Sequence, residues 1–328
     1  MKGFHKQKIS SFQIIKNSYG GELPAGLESD HPPKISITVT GFTKWQSLLL
    51  FFLSLMNVQI IVIFFSSITK QIKTHNLLAF IFYPLFILIS PYIFVKFAKK
   101  ISSKSKFETL GFISPVRSKR IYVSVDLIKE MDIEISDVIS HENIHCLQYL
   151  CGDLSHKNRM IDKERVQNYC KIHMNTEEQY KPKMCYLLSK VEIEARVHEL
   201  VSTFYTQTNE VILTRENFIV SLIYSNDVLD TLNSMSSYDK SQKMPKFLDE
   251  VKINAEKISI FEPVQTSTYS TLDFCDIFND INTMQELIDF ISYGLPTYYA
   301  NVLKLYGCIT ASEKLHRQIN EDRKLCKR

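Results

Sequence analysis

The residues with the clearest chemical meaning are His141, Glu142 and His145, in the sequence His-Glu-Asn-Ile-His. Residues four apart lie on one face of an α-helix, so this spacing presents two imidazoles together. Two imidazoles on one helix face are suited to hold a tetrahedral Zn²⁺ ion. Glu142 lies beside the first imidazole, where a carboxylate can act as general base toward a zinc-activated water. The competing interpretation is a helix with two unrelated histidines.

A catalytic zinc ion normally has three protein ligands and one water, so a third ligand is required. A later segment, Lys-Val-Glu-Ile-Glu-Ala-Arg over residues 190–196, offers Glu192 and Glu194. Only one of these two carboxylates can face the metal from a helix, because side chains two residues apart point in different directions. The alternative is that both are solvated charges on a helix face.

The two segments together, His-Glu-x-x-His and then Glu192-x-x-Ala195, resemble the gluzincins, zinc peptidases whose third ligand is a glutamate on a second helix. Gln148 extends the first segment to His-Glu-x-x-His-x-x-Gln, which recurs in zincin proteases. The resemblance implies a zincin-like fold, Zn²⁺ as cofactor, and Glu192 as the third ligand with Glu194 as the alternative. With the hydrophobic hairpin described below, the order of features resembles CAAX prenyl proteases and bacterial heat-shock membrane peptidases over residues 120–205.

One position departs from the gluzincin pattern. Four residues after the ligand, that family has an acid or amide that accepts a hydrogen bond from a zinc-bound histidine, and this chain has Arg196. Arginine has no acceptor atom. Another group then orients the histidine, or Glu194 is the ligand with His198 as its neighbour, or Arg196 stabilises the oxyanion of a tetrahedral intermediate. Tyr149 and Tyr205 are further oxyanion candidates, although core or interface packing is the more usual role of such tyrosines.

The elements that must position these residues are mostly helices. A helix is predicted over 135–150 and a second over 184–205, which carry the two segments of the site. A strand is predicted over 119–125, because this stretch is rich in β-branched and aromatic residues. Further helices are predicted at 215–235, 246–257, 271–293 and 296–307. The predicted fold class is therefore α+β and mainly helical, with a small sheet in the catalytic domain.

Two long apolar stretches, 47–68 and 77–95, contain no charged residue. Each has about the 20 residues that an α-helix needs to cross a bilayer. Six lysines precede the first stretch and five follow the second within residues 96–106, whereas the connector has two. The positive-inside rule then predicts an integral membrane protein with two spans and with both termini and the catalytic domain in the cytoplasm.

The domain organisation follows from these features. The predicted segments are a flexible N-terminal arm or small irregular structure at 1–44, a transmembrane helical hairpin at 45–97, a juxtamembrane connector at 98–118, a zincin-like metallopeptidase core at 119–210, and a helical C-terminal region at 211–328. The net charge of +4 is small, and much of the excess lies beside the apolar stretches, so no nucleic-acid partner is expected. Seven irregularly spaced cysteines fit a reducing compartment.

These features predict a membrane-anchored zinc endopeptidase that hydrolyses peptide bonds of membrane-proximal or cytoplasmic proteins. Its partners would be a protein or peptide substrate and the lipid bilayer. A catalytically inactive, membrane-anchored zincin-like module with a regulatory or binding role is the alternative, and Arg196 favours it. A structural membrane protein with a chance motif is a further alternative, which requires His141, His145 and Glu192 to lie far apart.

Overall fold

The computed structural model describes residues 6–42, 110–113, 119–150, 189–264 and 284–325. The strands of the described part are β1 Gln7–Ser10, β2 Ser36–Phe42, β3 Gly111–Ile113 and β4 Arg120–Ser124. Its helices are α1 Ser11–Ser18, α2 Val125–Glu130, α3 Ile135–Leu150, α4 Lys190–Thr208, α5 Arg215–Ile223, α6 Asn226–Tyr238, α7 Lys243–Lys257, α8 Met284–Asp289, a π-helix Phe290–Gly294, α9 Leu295–Leu305 and α10 Ile309–Leu325. The fold is mainly helical with a small sheet, so the predicted α+β class is confirmed at this level.

The four strands form one sheet in the order β1-β2-β4-β3. β1 runs antiparallel to β2, with Gln7 opposite Val39 and Ser10 opposite Ser36. Alternate residues of β2, Ile37 and Val39, are buried, as the two-residue period of a strand with one covered face requires.

Contacts divide the chain into two compact units. The first comprises residues 1–5, 40–110 and 122–132, and the second comprises residues 6–39, 111–121 and 133–328. In the first unit, the described part contains α2. The second unit contains both segments of the candidate site.

The core of the second unit forms where α4 packs against α3 and α9. Ser189 caps the N-terminus of α4, and its side chain accepts a hydrogen bond from the backbone N–H of Glu192. Asn209 caps the C-terminus in the left-handed conformation common at helix ends. Nearly every residue between Glu192 and Phe204 is buried. A helix that is buried on all sides must pair every polar group that it carries, and α4 carries several charges.

The N-terminal residues differ from the predicted flexible arm. Residues 6–42 contain β1, α1 and β2, and the side chains of Ile15, Tyr19 and Leu27 are buried in the core of the second unit. Ser11 on α1 donates a hydrogen bond of 2.7 Å to the side chain of Asn143, which in turn donates to the backbone carbonyl of Ser11 at 3.2 Å. The glycine- and proline-rich composition reflects turns in a packed segment, and apolar burial by α1 outweighs the entropy of ordering it.

Several helix boundaries also differ from the sequence prediction. The helix predicted at 215–235 is two helices, α5 and α6, which are separated where Ser225 pairs with Val264. Of the helix predicted at 271–293, the described part starts at residue 284 and becomes a π-helix at Phe290. Beyond the last helix predicted from the sequence, residues Ile309–Leu325 form α10.

The predicted membrane hairpin at 45–97 and almost all of the connector at 98–118 lie outside the described residues. Within the part of the chain that the structure describes, no helix combines the length and the apolarity needed to cross a bilayer.

Gly307 joins the C-terminal helices to the N-terminal segment, because its carbonyl accepts a hydrogen bond of 3.0 Å from the backbone N–H of His31. Its φ is +81°, and a Cβ added there would lie 2.0 Å from the carbonyl oxygen of His31. Gly20 has nearly the same φ, +80°, but a Cβ there would have no neighbour within 4 Å among the described residues.

Gly307→Ala is expected to lower the free energy of unfolding by more than ~3 kcal/mol, because the left-handed strain and a backbone clash add together. The matched control Gly20→Ala carries only the strain and should cost roughly 1–2 kcal/mol. Urea unfolding of both variants measures the difference. Equal destabilisation would contradict the packing of the N-terminal segment against Gly307.

Candidate metal centre

His141 and His145 on α3 meet Glu192 on α4 in the buried contact between the two helices. The Nε2 atoms of the two histidines are 3.1 Å apart. The Nε2 of His141 lies 3.6 Å from Oε1 of Glu192, and the Nε2 of His145 lies 3.5 Å from Oε2. The structure thus brings together the three residues predicted as metal ligands, and this group could hold a metal ion.

The distances match the size of a tetrahedral metal site. Ligand atoms bonded to zinc at ~2.0–2.1 Å lie about 3.3 Å from one another. The separation of 3.1 Å between the two Nε2 atoms and that of 3.5 Å between the Nε2 of His145 and Oε2 of Glu192 bracket this value. Two imidazoles and one carboxylate form a donor set that zinc and other first-row divalent ions accept.

The second nitrogen of each imidazole determines the direction of its lone pair. The Nδ1 of His141 lies 3.0 Å from Oε1 of Glu199, and the Nδ1 of His145 lies 2.8 Å from the side-chain oxygen of Gln148. Both oxygens only accept hydrogen bonds, so each Nδ1 must carry the proton. Each Nε2 of a neutral ring then presents a lone pair to the other and to Glu192. Such an arrangement requires a cation or an extra proton between these groups.

The pKa of His141 also indicates that the site attracts positive charge. Burial alone would lower the pKa of this imidazole, but the neighbouring carboxylates of Glu199 and Glu192 raise it to about 10. Burial works against ionisation of Glu192 as well, yet His141 first and Arg196 after it hold the pKa of this carboxyl well below its usual range. The site therefore favours an ionised ligand carboxylate and attracts positive charge to the point where the three ligand atoms meet.

Glu199 is the residue that sequence reasoning missed. It lies seven residues after Glu192, two helical turns along the same face of α4, and its carboxylate accepts the hydrogen bond that orients His141. This matches the first of the three alternatives for Arg196, in which another group orients the histidine. The sequence signal for Glu199 is its spacing of seven residues from Glu192, which places both acids on one helix face. The gluzincin pattern points instead to position 196, about one turn before Glu199.

Glu194 lies elsewhere on α4. Its Oε2 accepts a hydrogen bond of 2.9 Å from the side chain of Gln148, and its Oε1 accepts one of 3.0 Å from Asn301. Gln148 also donates to the backbone carbonyl of Val191 at 2.9 Å. With its amide nitrogen occupied in this way, Gln148 must turn its oxygen toward His145. Glu194 thus orients the partner of a histidine, while Glu192 occupies the ligand position.

Arg196 is 3% exposed and is bound to the ligand carboxylate. Its Nε and Nη2 atoms each lie 2.9 Å from Oε1 of Glu192. Its Nη1 lies 3.7 Å from Oε2 of Glu199. Among the described residues nearest the three ligand atoms, ionised Glu142, Glu192 and Glu199 carry three negative charges. With the guanidinium of Arg196 they have a formal charge of −2, which one divalent cation would balance.

His198 and Tyr149 lie outside the group of three ligand atoms. The ring of His198 hydrogen-bonds with the hydroxyls of Ser140 and Tyr306, and Tyr306 in turn lies 3.4 Å from the hydroxyl of Tyr19. Burial lowers the pKa of His198 to about 4, so the ring is neutral and joins α3, α4 and α9 through polar contacts. Tyr149 is 36% exposed near the end of α3.

The side chain of Glu142 extends from α3 toward strand β3. The side chain is 7% exposed, and burial raises the pKa of its carboxyl, as suits a group that exchanges a proton. A Cβ at Gly111 of β3 would lie 3.0 Å from Cγ of Glu142 and 2.8 Å from Val138. The glycine therefore allows β3 to approach α3 directly beside the candidate general base.

No protein-family model matches the chain, and neither the curated proteins nor the solved structures contain a significant match to it.

One divalent metal ion per chain is expected to bind at this centre, and elemental analysis after dialysis against zinc as the probe measures it. Free zinc at 100 times its Kd should stabilise the folded chain by about 2.7 kcal/mol, seen as a rise in Tm. His145→Gln should remove most of this rise. The control His316→Gln changes a histidine on α10 and should retain it. An equal rise in Tm for the His145→Gln chain would contradict the assignment.

Proposed function

We propose that this protein is a zinc-dependent endopeptidase of the gluzincin type, anchored in a membrane. The observation that carries the proposal is the convergence of His141, His145 and Glu192 around one point, beside the buried carboxylate of Glu142. Three protein ligands with an adjacent acid are the composition of a catalytic zinc site, whereas structural zinc sites normally have four protein ligands.

The chain supplies the proton transfer and the positioning that peptide hydrolysis requires. A bound zinc ion would polarise the scissile carbonyl and make a water acidic enough to react near neutral pH. Glu142 accepts the proton and returns it to the nitrogen of the leaving amine. Glu199 and Gln148 hold the two imidazoles in the tautomer that leaves each Nε2 free to coordinate. Burial of Glu142 raises the pKa of its carboxyl and so favours return of the proton.

The inactive-module alternative loses the feature that favoured it. Arg196 suggested that the acceptor for a zinc-bound histidine was missing, but Glu199 occupies that role in the structure. The further alternative of a chance motif required the three candidate ligands to lie far apart, and they lie within 4.8 Å of one another.

Glu142→Gln is expected to lower the rate of peptide hydrolysis by about 10²–10⁴-fold while zinc still binds, because the amide cannot accept the proton. A quenched fluorescent casein reports hydrolysis by the full chain in detergent micelles, and elemental analysis reports zinc. Glu250→Gln, an exposed change on α7, is the control and should leave the rate unchanged.

A zinc-loaded wild-type chain that leaves casein and other unfolded proteins uncleaved would favour the inactive module. Equal rates for the wild-type and Glu142→Gln chains would contradict the role of Glu142 as general base.

The membrane part of the proposal rests on the uncharged stretches 47–68 and 77–95 and on the lysines that flank them. We propose that the hairpin holds the site near the cytoplasmic surface, where tethering raises the effective concentration of membrane-proximal substrates.

The full chain is expected to stay in the membrane pellet after extraction with alkaline carbonate. The double change Val58→Arg and Phe86→Arg should release it, because an arginine at the centre of a span costs ~2.5–3.5 kcal/mol for insertion. Leucine at the same two positions is the control and should keep the chain in the pellet. Release of the wild-type chain by carbonate would contradict the anchor but would leave the metal centre untouched.

A further inference from the structure

Arg196 is an unusual residue for the place it occupies. It lies in the middle of a helix that is buried on all sides, and its side chain is 3% exposed. A buried guanidinium is costly unless it is paired and hydrogen-bonded. Among the described residues, its nearest ionic partner is Glu192, one turn earlier on α4, and a second carboxylate belongs to Glu199. Its charge is therefore compensated by a candidate ligand and by the group that orients a candidate ligand.

The contact between Arg196 and Glu192 is one-sided. A guanidinium commonly engages both oxygens of a carboxylate through two parallel hydrogen bonds. Here both Nε and Nη2 lie 2.9 Å from the same oxygen, Oε1. The other oxygen, Oε2, is buried and has no hydrogen-bond partner in the described part of the chain. Oε2 lies 3.5 Å from the Nε2 of His145, at a separation suited to two ligands of one ion.

We infer that Arg196 is a positioning residue, which occupies Oε1 of Glu192 and so makes Oε2 the single oxygen that coordinates the metal. The inference rests on the proposed metal centre and specifies its coordination number. With one oxygen from Glu192, the chain supplies three donor atoms, and the remaining positions stay open for water and substrate. With both oxygens, the chain would supply four and would close a position that hydrolysis needs.

The shape of the guanidinium is necessary for this role. Its Nε and Nη2 converge on Oε1, while Nη1 points toward Glu199 at 3.7 Å. A lysine at the same position would keep the positive charge, but its ammonium is a point charge without the fixed fork. A positive charge at position 196 would therefore not by itself keep Oε1 of Glu192 from the metal. A lysine variant can thus distinguish this positioning role from simple charge balance.

Cobalt(II) in place of zinc provides a direct readout, because its visible absorption weakens strongly as the coordination number rises above four. The full chain in detergent micelles is titrated with Co²⁺, and His145→Gln supplies the background from other sites. We expect intense bands for the wild type and markedly weaker bands for Arg196→Gln, because the released Oε1 joins the metal. The Co²⁺ affinity of Arg196→Gln should fall about 10–100-fold, as is usual when a group that orients a ligand is removed.

Two further variants separate positioning from stability. Arg196→Lys retains a cation and should also give weakened bands, so it provides the test if Arg196→Gln does not fold by circular dichroism. Arg215→Gln is the matched control, because Arg215 forms ion pairs with Glu216 at 3.1 Å and Asp322 at 3.0 Å away from the ligands. Its Co²⁺ spectrum and affinity should equal those of the wild type.

Wild-type band intensity and affinity in both Arg196 variants would overturn the inference and leave the metal centre standing. A wild-type chain with no Co²⁺ bands above the His145→Gln background would overturn the metal centre, and the inference with it. Intense wild-type bands that weaken in both Arg196 variants would support the inference even if the chain cleaves no peptide.

Discussion

The structure of the second unit depends on a concentration of negative charge in the contact between α3 and α4. Two imidazole lone pairs and the carboxylate of Glu192 meet in a largely buried contact, with Glu142 and Glu199 close by. Such a cluster is stable only if positive charge enters it. Arg196 supplies one charge from within the helix, and the arrangement of the remaining groups calls for a cation at the point where the three ligand atoms meet.

The surrounding contacts keep the two helices in the register that this cluster needs. Gln148 on α3 donates to the backbone of α4 at Val191 and to Glu194, and Asn301 on α9 holds the other oxygen of Glu194. His198 lies between Ser140 on α3 and Tyr306 after α9. Because each of these polar groups is paired and most of them are buried, a shift of one helix would leave several hydrogen bonds unmade. The same contacts that stabilise the helix packing therefore determine the ligand geometry.

The polar residues of α4 contact different partners according to the helix face on which they lie. Glu192 and Glu199, seven residues apart, face the histidines, whereas Glu194 faces Gln148. Arg196 lies between the first two and contacts both. In the proposed peptidase, one guanidinium would thus contact both Glu192, the carboxylate ligand, and Glu199, which orients the ligand His141. A shift of Arg196 would therefore disturb both the carboxylate of Glu192 and the Glu199 carboxylate that fixes the tautomer of His141.

The sequence by itself determined the mainly helical class, the helix over 135–150 and the spacing of His141, Glu142 and His145, because helical periodicity is a local property of the chain. It also narrowed the candidate third ligand to Glu192 and Glu194, which lie two residues apart. Only the tertiary structure decided between Glu192 and Glu194, since the choice depends on which face of α4 meets α3. The same is true of Glu199, and of the N-terminal residues that pack through Ser11 against Asn143. These contacts join residues 58 to 132 positions apart, and no local pattern encodes which distant partner fills a buried site.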